Sequence, residues 1–176
     1  YGVEVVGENG GGYVAVQPEL NKGRVSVNLN KGDIVAIRLY NASGFEAATS
    51  LLVDGLSRYA LADDPERRGW LDVVADGTPR TVKGYFRDGQ SVDSFQIGSY
   101  SDSVAAKHLP EASSAGTFTI GFRAAWKKGE TPPPNEPPAM KSLPGVVQGP
   151  KRSDPTVHVK REVGGLRAVV KIFYGT

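Results

Sequence analysis

Apolar side chains recur at every second position through much of the chain. In the run 24–29, Val25, Val27 and Leu29 share one side of an extended strand, and the run 116–126 repeats this alternation. One-sided burial of this kind is typical of antiparallel sheets. Ten runs fit the strand pattern: 3–6, 13–17, 24–29, 33–41, 49–55, 81–86, 92–98, 116–126, 156–163 and 166–174.

Turn-forming residues separate these runs. The sequence NKGD at 30–33 joins two of them, and RDGQS at 87–91 contains the Asp-Gly pair that favours a tight hairpin. The glycines of VGG at 163–165 predict a second hairpin between the last two runs. Strands that follow one another through short turns indicate a sandwich or barrel. We therefore predict an all-β fold, an antiparallel, jelly-roll-like β-sandwich.

Helical signals are short. The stretch 101–109 predicts about two turns, with Ser101 as the N-cap and Pro110 as the stop. The stretch 64–70 predicts a single turn with Pro65 at its first position.

Proline divides the C-terminal part of the chain from the rest. Eight of the twelve prolines fall within residues 129–155, which predicts an extended surface crossing without a central strand. A two-stranded hairpin is only marginally stable alone, so we expect residues 156–176 to form one that docks on the sandwich of residues 1–128. The whole chain is then one domain.

Composition narrows the class of protein and leaves its compartment open. The 176 residues carry a net charge of +2 and contain no cysteine, which excludes disulfides and thiolate metal ligands. No apolar run approaches the ~18 residues of a membrane span. The chain begins with Tyr1 instead of Met, which favours a processed or excised segment, and a cell-envelope or secreted location is preferred over the cytoplasm.

Each set of candidate catalytic residues can also be explained by a purely structural role. The corner GSYSDS at 98–103 offers serines beside Asp102 and His108, but it lacks the second glycine of a nucleophile elbow. His158 alternates with valines in VHV, which predicts a solvent-facing strand position, and the two histidines lack metal-ligand spacing. The pairs Asp63–Asp64 and Asp88–Asp93 fit turns and helix caps as well as acid–base chemistry.

The sequence predicts no cofactor and no metal. Neither of the common glycine-rich phosphate loops follows a strand, and no acidic calcium loop occurs. The last two runs carry Lys160, Arg161, Arg167 and Lys171 near aromatic residues, which is the main electrostatic hint of an anionic partner. Basic residues also protect exposed strand edges from aggregation.

The motifs LYNASG, SLLVDGLSRY, VKGYFRDGQSVDSFQIGSYSDSVA and GTFTIGF occur in this order. Between residues 33 and 122 this order resembles a set of uncharacterised bacterial all-β domains. The resemblance implies a compact β-sandwich that often belongs to longer chains, and it implies no catalytic residue.

Two classes of function follow from these patterns. The preferred one is a non-enzymatic binding or structural module of a bacterial protein, with a protein or glycan partner. Its expected contacts are Tyr59 and Trp70, as an exposed aromatic patch, together with Lys160 and Arg161. The alternatives are a hydrolase of glycans or esters that uses Asp and Ser groups near residues 99–108, and an anion or nucleic-acid binder that uses the basic C-terminal hairpin. Nucleic acid is the least favoured partner, and the sequence leaves the oligomeric state open.

Overall fold

The computed structural model describes residues 1–137, 151–155 and 157–175, with only the backbone of residues 151–153. Its strands are β1 (Gly2–Asn9), β2 (Gly12–Ala15), β3 (Glu19–Asn21), β4 (Arg24–Asn28), β5 (Ile34–Tyr40), β6 (Ala47–Val53), β7 (Leu56–Ser57), β8 (Asp72–Val74), β9 (Arg80–Val82), β10 (Gly84–Phe86), β11 (Ser91–Gln96), β12 (Thr117–Trp126), β13 (Lys151–Ser153) and β14 (Glu162–Gly175). Two 3₁₀ helices cover Pro65–Gly69 and Tyr100–Asp102, and α1 covers Val104–His108.

Two sheets face each other, which confirms the predicted all-β sandwich. The first sheet has the order β10-β11-β5-β1-β2, with β13 beside β11 and β9 beside β5. The second has the order β3-β4-β14-β12-β6-β7, with β8 beside β6. The ladders among the described strands are antiparallel except that between β14 and β4, which is parallel.

The main core lies between the sheets. Its largest fully buried apolar side chains include Phe118 and Phe122 of β12 and Ile37 and Leu39 of β5. These residues occupy alternate positions of their strands, as the sequence pattern predicts. A second, smaller cluster of Tyr59, Ala62 and Phe86 has Trp70 packed against it.

The short helices match their predicted positions, but one cap differs. Asp64 caps the first 3₁₀ helix by accepting a hydrogen bond from the amide of Glu66, with Pro65 in the first turn. In the serine corner, Ser103 caps α1 through the amide of Ala106, so the prediction that Ser101 is the N-cap is wrong. The chain first makes a 3₁₀ turn at 100–102, which delays the start of α1.

The predicted C-terminal hairpin does not form. Residues 157–161 have no regular secondary structure, and β14 runs without a turn through Gly164 and Gly165. The amide of Gly165 donates to the carboxylate of Glu136, which would overlap a Cβ at Gly164. The two glycines therefore leave room for the Glu136 carboxylate and do not form a turn. The strand β14 continues past them and pairs with β12 along its length.

The predicted proline-rich crossing lies partly outside the described residues, because 138–150 are not covered. The described part reaches Pro137 in irregular conformation and resumes at β13, which pairs with β11 in the first sheet. No helix in the described ranges has the length and apolar character needed to cross a membrane.

Candidate functional site

A cavity of about 520 Å³ opens between the two sheets at one end of the sandwich. We call it the end cavity. Apolar side chains from both sheets line it, namely Val53 and Phe118 from the second sheet and Phe95 from the first. Its polar lining comes from strand ends, the turns beside them and the serine corner: Lys31, Asp54, Gln96, Ser99, Tyr100, Asp102, Ser103 and Tyr174.

Asp54 lies in this lining because a tight turn places it there. Val53 pairs with Leu56, so Asp54 and Gly55 form the two-residue turn between β6 and β7. Both have positive φ, 55° for Asp54 and 85° for Gly55, as hairpin turns of the Asp-Gly type require. The backbone amide of Asp54 donates to the carbonyl of Thr117 at 2.8 Å, which joins the turn to the start of β12.

Three hydrogen bonds hold the Asp54 carboxylate, and all of them end on Oδ1. The donors are the Tyr174 hydroxyl at 2.6 Å and the amides of Gly116 at 2.7 Å and Thr117 at 3.3 Å. No described residue donates to Oδ2, which is not a buried atom although the residue is only 4% exposed. Since Asp54 lines the end cavity, we place this free oxygen at the cavity wall.

Burial dominates the electrostatics of this group. It raises the pKa of Asp54, and the hydrogen bonds from Tyr174, Gly116 and Thr117 oppose that rise. Burial and the neighbouring Asp54 raise the pKa of Tyr174, so its hydroxyl stays protonated and donates. Tyr85 is fully buried, and its hydroxyl has no hydrogen-bond partner in the described structure. The cavity wall therefore combines the fixed acceptor Asp54 and the neutral hydroxyl of Tyr174 with two further charged side chains, Lys31 and Asp102.

The serine corner contributes to the cavity but does not form a nucleophile–base pair. Ser101, Asp102 and His108 are exposed, and no hydrogen bond connects any two of them in the described structure. The His108 Nδ1 lies 2.9 Å from the carbonyl oxygen of Val104, and neither Ser101 nor His108 lines the cavity.

The predicted aromatic patch is only partly at the surface. Tyr59 is buried at 5% exposure and donates its hydroxyl to Asp72 at 3.0 Å, so the expectation that it is exposed is wrong. Trp70 is partly buried and packs edge-on against Tyr59. The exposed ring of His158 stacks on the indole with centroids 4.1 Å apart. A binding role of Tyr59 and Trp70 stays a prediction.

The predicted basic contacts Lys160 and Arg161 lie in the irregular segment before β14. Lys160 is exposed, whereas Arg161 forms an ion pair with Glu46 at 2.5 Å. The hydrogen bond from Arg161 lowers the pKa of Glu46. Arg161 therefore stabilises this segment against the start of β6, and its role in binding also stays a prediction.

The other candidate acids have structural partners. Asp63 pairs with Arg87 at 3.2 Å, and Asp88 Oδ1 accepts from the amides of Gln90 and Ser91. The predicted tight Asp-Gly turn does not form here: Phe86 pairs with Val92, which leaves a five-residue loop, and neither Asp88 nor Gly89 has positive φ. Asp93 is buried beside Arg87 at 3.5 Å. Within the described ranges, no group of three or more His, Asp or Glu side chains is placed to hold a metal ion.

Sequence reasoning missed Asp54 and Tyr174 as members of a site. The Asp-Gly pair in SLLVDGLSRY signals the turn. Nothing in the sequence signals that the end of β14 comes beside it, because those residues are 120 positions apart.

Comparison of the chain with protein-family models, curated proteins and solved structures finds no match in any of the three. The resemblance to bacterial all-β domains therefore stays a prediction.

Proposed function

We propose that this chain is a non-enzymatic binding module whose end cavity holds a small, neutral, hydroxyl-rich ligand such as one sugar unit of a glycan. Its volume of about 520 Å³ lies within the range of ordinary ligand pockets, about 300–1,000 Å³. Bacterial origin, and a place in a longer envelope or secreted protein, are part of this proposal.

The observation that carries the proposal is the carboxylate of Asp54. Its Oδ1 is held by three donors, while Oδ2 has no partner among the described residues. An ionised carboxylate is an acceptor only, so its free oxygen suits an O–H donor of the ligand. Because the turn and Tyr174 already hold the group in place, ligand binding costs little conformational entropy here.

The remaining lining supports a ligand with both polar and apolar faces. Phe95 and Phe118 provide flat apolar surface, and Gln96 and Tyr100 add an amide and a hydroxyl at the polar side. Sugars present C–H faces and hydroxyl edges, so this mixture of groups matches them.

Nuclear magnetic resonance titration with a panel of neutral monosaccharides and their disaccharides tests the proposal. We expect saturable amide shifts that centre on Gly32, Gly98 and Gly116, which line the cavity. D54N keeps a carbonyl oxygen that accepts from the Tyr174 hydroxyl, but it replaces the free carboxylate oxygen by an NH₂ group. Because that acceptor is lost, we expect the ligand to bind at least tenfold more weakly. D63N, an acid-to-amide change in an exposed ion pair, is the matched control and should bind as the wild type does.

Absence of saturable shifts across the panel, or shifts that centre elsewhere, would overturn the proposal. The same sugars, offered as aryl glycosides, test the hydrolase alternative, because Asp54 and Asp102 line one cavity. Glycoside hydrolysis usually needs two carboxyl groups. Turnover in the wild type that is lost in both D54N and D102N would show that the chain is an enzyme and not a binding module.

A further inference from the structure

The outward face of the second sheet is a second candidate binding surface, and its chemistry differs from that of the end cavity. The inward face of β14 carries Ala168, Val170, Ile172 and Tyr174, which pack on the core. Strand geometry therefore directs Val169, Lys171 and Phe173 to the opposite side. Val169 is 55% exposed, and Lys171 is also exposed.

Two cations flank the ring of Phe173 on this face. The Arg24 guanidinium carbon lies 5.0 Å from the ring centroid, and the Lys171 Nζ lies 5.2 Å from it. Neither cation has an ion-pair partner among the described side chains. Both contacts are of the cation–π kind, which positions the two charges without neutralising them.

Arg123 of β12 adds a third cation to the same face. Register places Arg123 opposite Leu166 of β14, and its Nη1 would lie 3.7 Å from a Cβ at Gly121. The residue is only 8% exposed, yet no described residue accepts a hydrogen bond from its guanidinium or forms an ion pair with it. Its guanidinium nitrogens are not buried, so the stem of the side chain is covered while the charge reaches solvent. A solvent-facing cation without a carboxylate partner among the described residues is accessible to an anionic ligand.

The cations are spread along the strands and do not converge on one point. Lys171 pairs with Thr119 and Leu166 pairs with Arg123, so about five residues of β14, or about 17 Å at ~3.3 Å per residue, separate their backbone positions. The Arg123 guanidinium extends back over Gly121, which pairs with Val169, so its charge lies closer to Lys171 than the backbone spacing. Gly121 is buried, and the side chains of Ser50 and Leu166 close over it, since a Cβ there would come within 2.7 Å of Ser50 Oγ and 3.1 Å of Leu166 Cδ1. Cations spread over neighbouring strands of one sheet face suit an anion with several charges better than a single small ion.

We infer that the basic strip formed by Arg24, Lys171, Phe173, Val169 and Arg123 binds a linear anionic polysaccharide. Single-stranded nucleic acids are held mainly by bases that stack on open aromatic rings. The Phe173 ring is flanked by Arg24 and Lys171, so the strip offers spaced charges instead of a stacking platform. This inference goes beyond the end cavity and does not depend on it.

Affinity measurements with heparin as a sulfated chain, hyaluronan as a carboxylated chain and oligo(dT) as a nucleic acid test the inference. We expect one or both polysaccharides to bind at a physiological ionic strength of about 0.15 M, and to bind more weakly as salt screens the charges. The double variant R24E/K171E should lose at least tenfold in affinity, and R123Q, which retains the stem, should lose at least threefold. K107E makes the same change of charge on exposed α1 and should leave the affinity within twofold of wild type.

Three outcomes would overturn the inference: no binding to either polysaccharide, an equal loss in K107E, or tighter binding of oligo(dT) than of both polysaccharides. Circular dichroism and thermal unfolding verify that each variant is folded. D54N should retain the polysaccharide, and R24E/K171E should retain any ligand of the end cavity, so failure of one proposal is distinguishable from failure of the other.

Discussion

Arg58 and Asp72 form a bidentate ion pair in the interior of the protein. Arg58 Nε lies 2.5 Å from Asp72 Oδ2, and Nη2 lies 2.7 Å from Oδ1. Both side chains are buried, and Arg58 also donates to the carbonyl of Gly84 at 3.0 Å. Tyr59 and Arg80 donate to the same carboxylate, so one acid joins β8 to the loop after β7 and to β9.

Removal of the cation from this pair should be strongly destabilising. We expect R58M to lower the free energy of unfolding by about 3–5 kcal/mol, because it leaves the buried Asp72 carboxylate with the partly exposed Arg80 as its one remaining cation among the described residues. Urea denaturation followed by circular dichroism measures the loss. R67M breaks the exposed Arg67–Asp64 pair and should cost at most about 1 kcal/mol. Equal losses in the two variants would contradict the importance of the buried pair.

The pKa of Asp72 predicts how the stability of the fold depends on pH. Burial alone would raise the pKa of Asp72, but Arg58 and Arg80 hold it at about 2, below its ordinary value of 3.8. Because the folded value is lower than the unfolded one, the stabilisation is complete above about pH 4 and is lost as the pH falls towards 2. The wild type should lose on the order of 2 kcal/mol relative to D72N across this range. A difference that does not change with pH would contradict the assignment.

A glycine in the first sheet should tolerate no side chain. A Cβ at Gly84 would lie 2.1 Å from the carbonyl oxygen of Asp93, and both residues belong to the β10–β11 ladder. We expect G84A to lower the free energy of unfolding by at least about 3 kcal/mol, since the ladder must separate to admit the methyl group. G69A is the control, because nothing lies within 4 Å of its added Cβ. Similar denaturation midpoints for the two variants would disprove this expectation.

The stacked rings of Trp70 and His158 hold the irregular segment before β14 against the protein. Their planes are inclined by 17°, and Arg67 lies 5.0 Å from the indole centroid. In a W126F background, H158A should shift the Trp70 emission to longer wavelength and cost about 0.5–1.5 kcal/mol. K160A, two residues away and exposed, should leave the emission unchanged. Unchanged emission in H158A would show that the stacking does not persist in solution.

The alternation of side chains and the positions of Gly, Asp and Pro were sufficient to predict the sandwich, the pairing of β10 with β11 across the loop 87–91 and the two short helical stretches. These features depend on local geometry: a strand exposes alternate faces, and a turn needs particular backbone angles. The same local signals failed at Gly164 and Gly165. Glycine fits a turn or a close approach equally well, and Glu136, far away along the chain, determines which one occurs.

The candidate sites depend on long-range assembly. Asp54 meets Tyr174, Arg58 meets Asp72 and Arg24 meets Phe173 because strands distant in sequence become neighbours in the sheets. The burial of Tyr59 also depends on long-range packing. The sequence around it permits an exposed ring, but the ring is buried because it packs beside Asp72. Sequence periodicity specifies which face of a strand is apolar, whereas the order and register of the strands depend on the packing of the whole chain. That order brings an acid, a hydroxyl or a cation to the place where it can act.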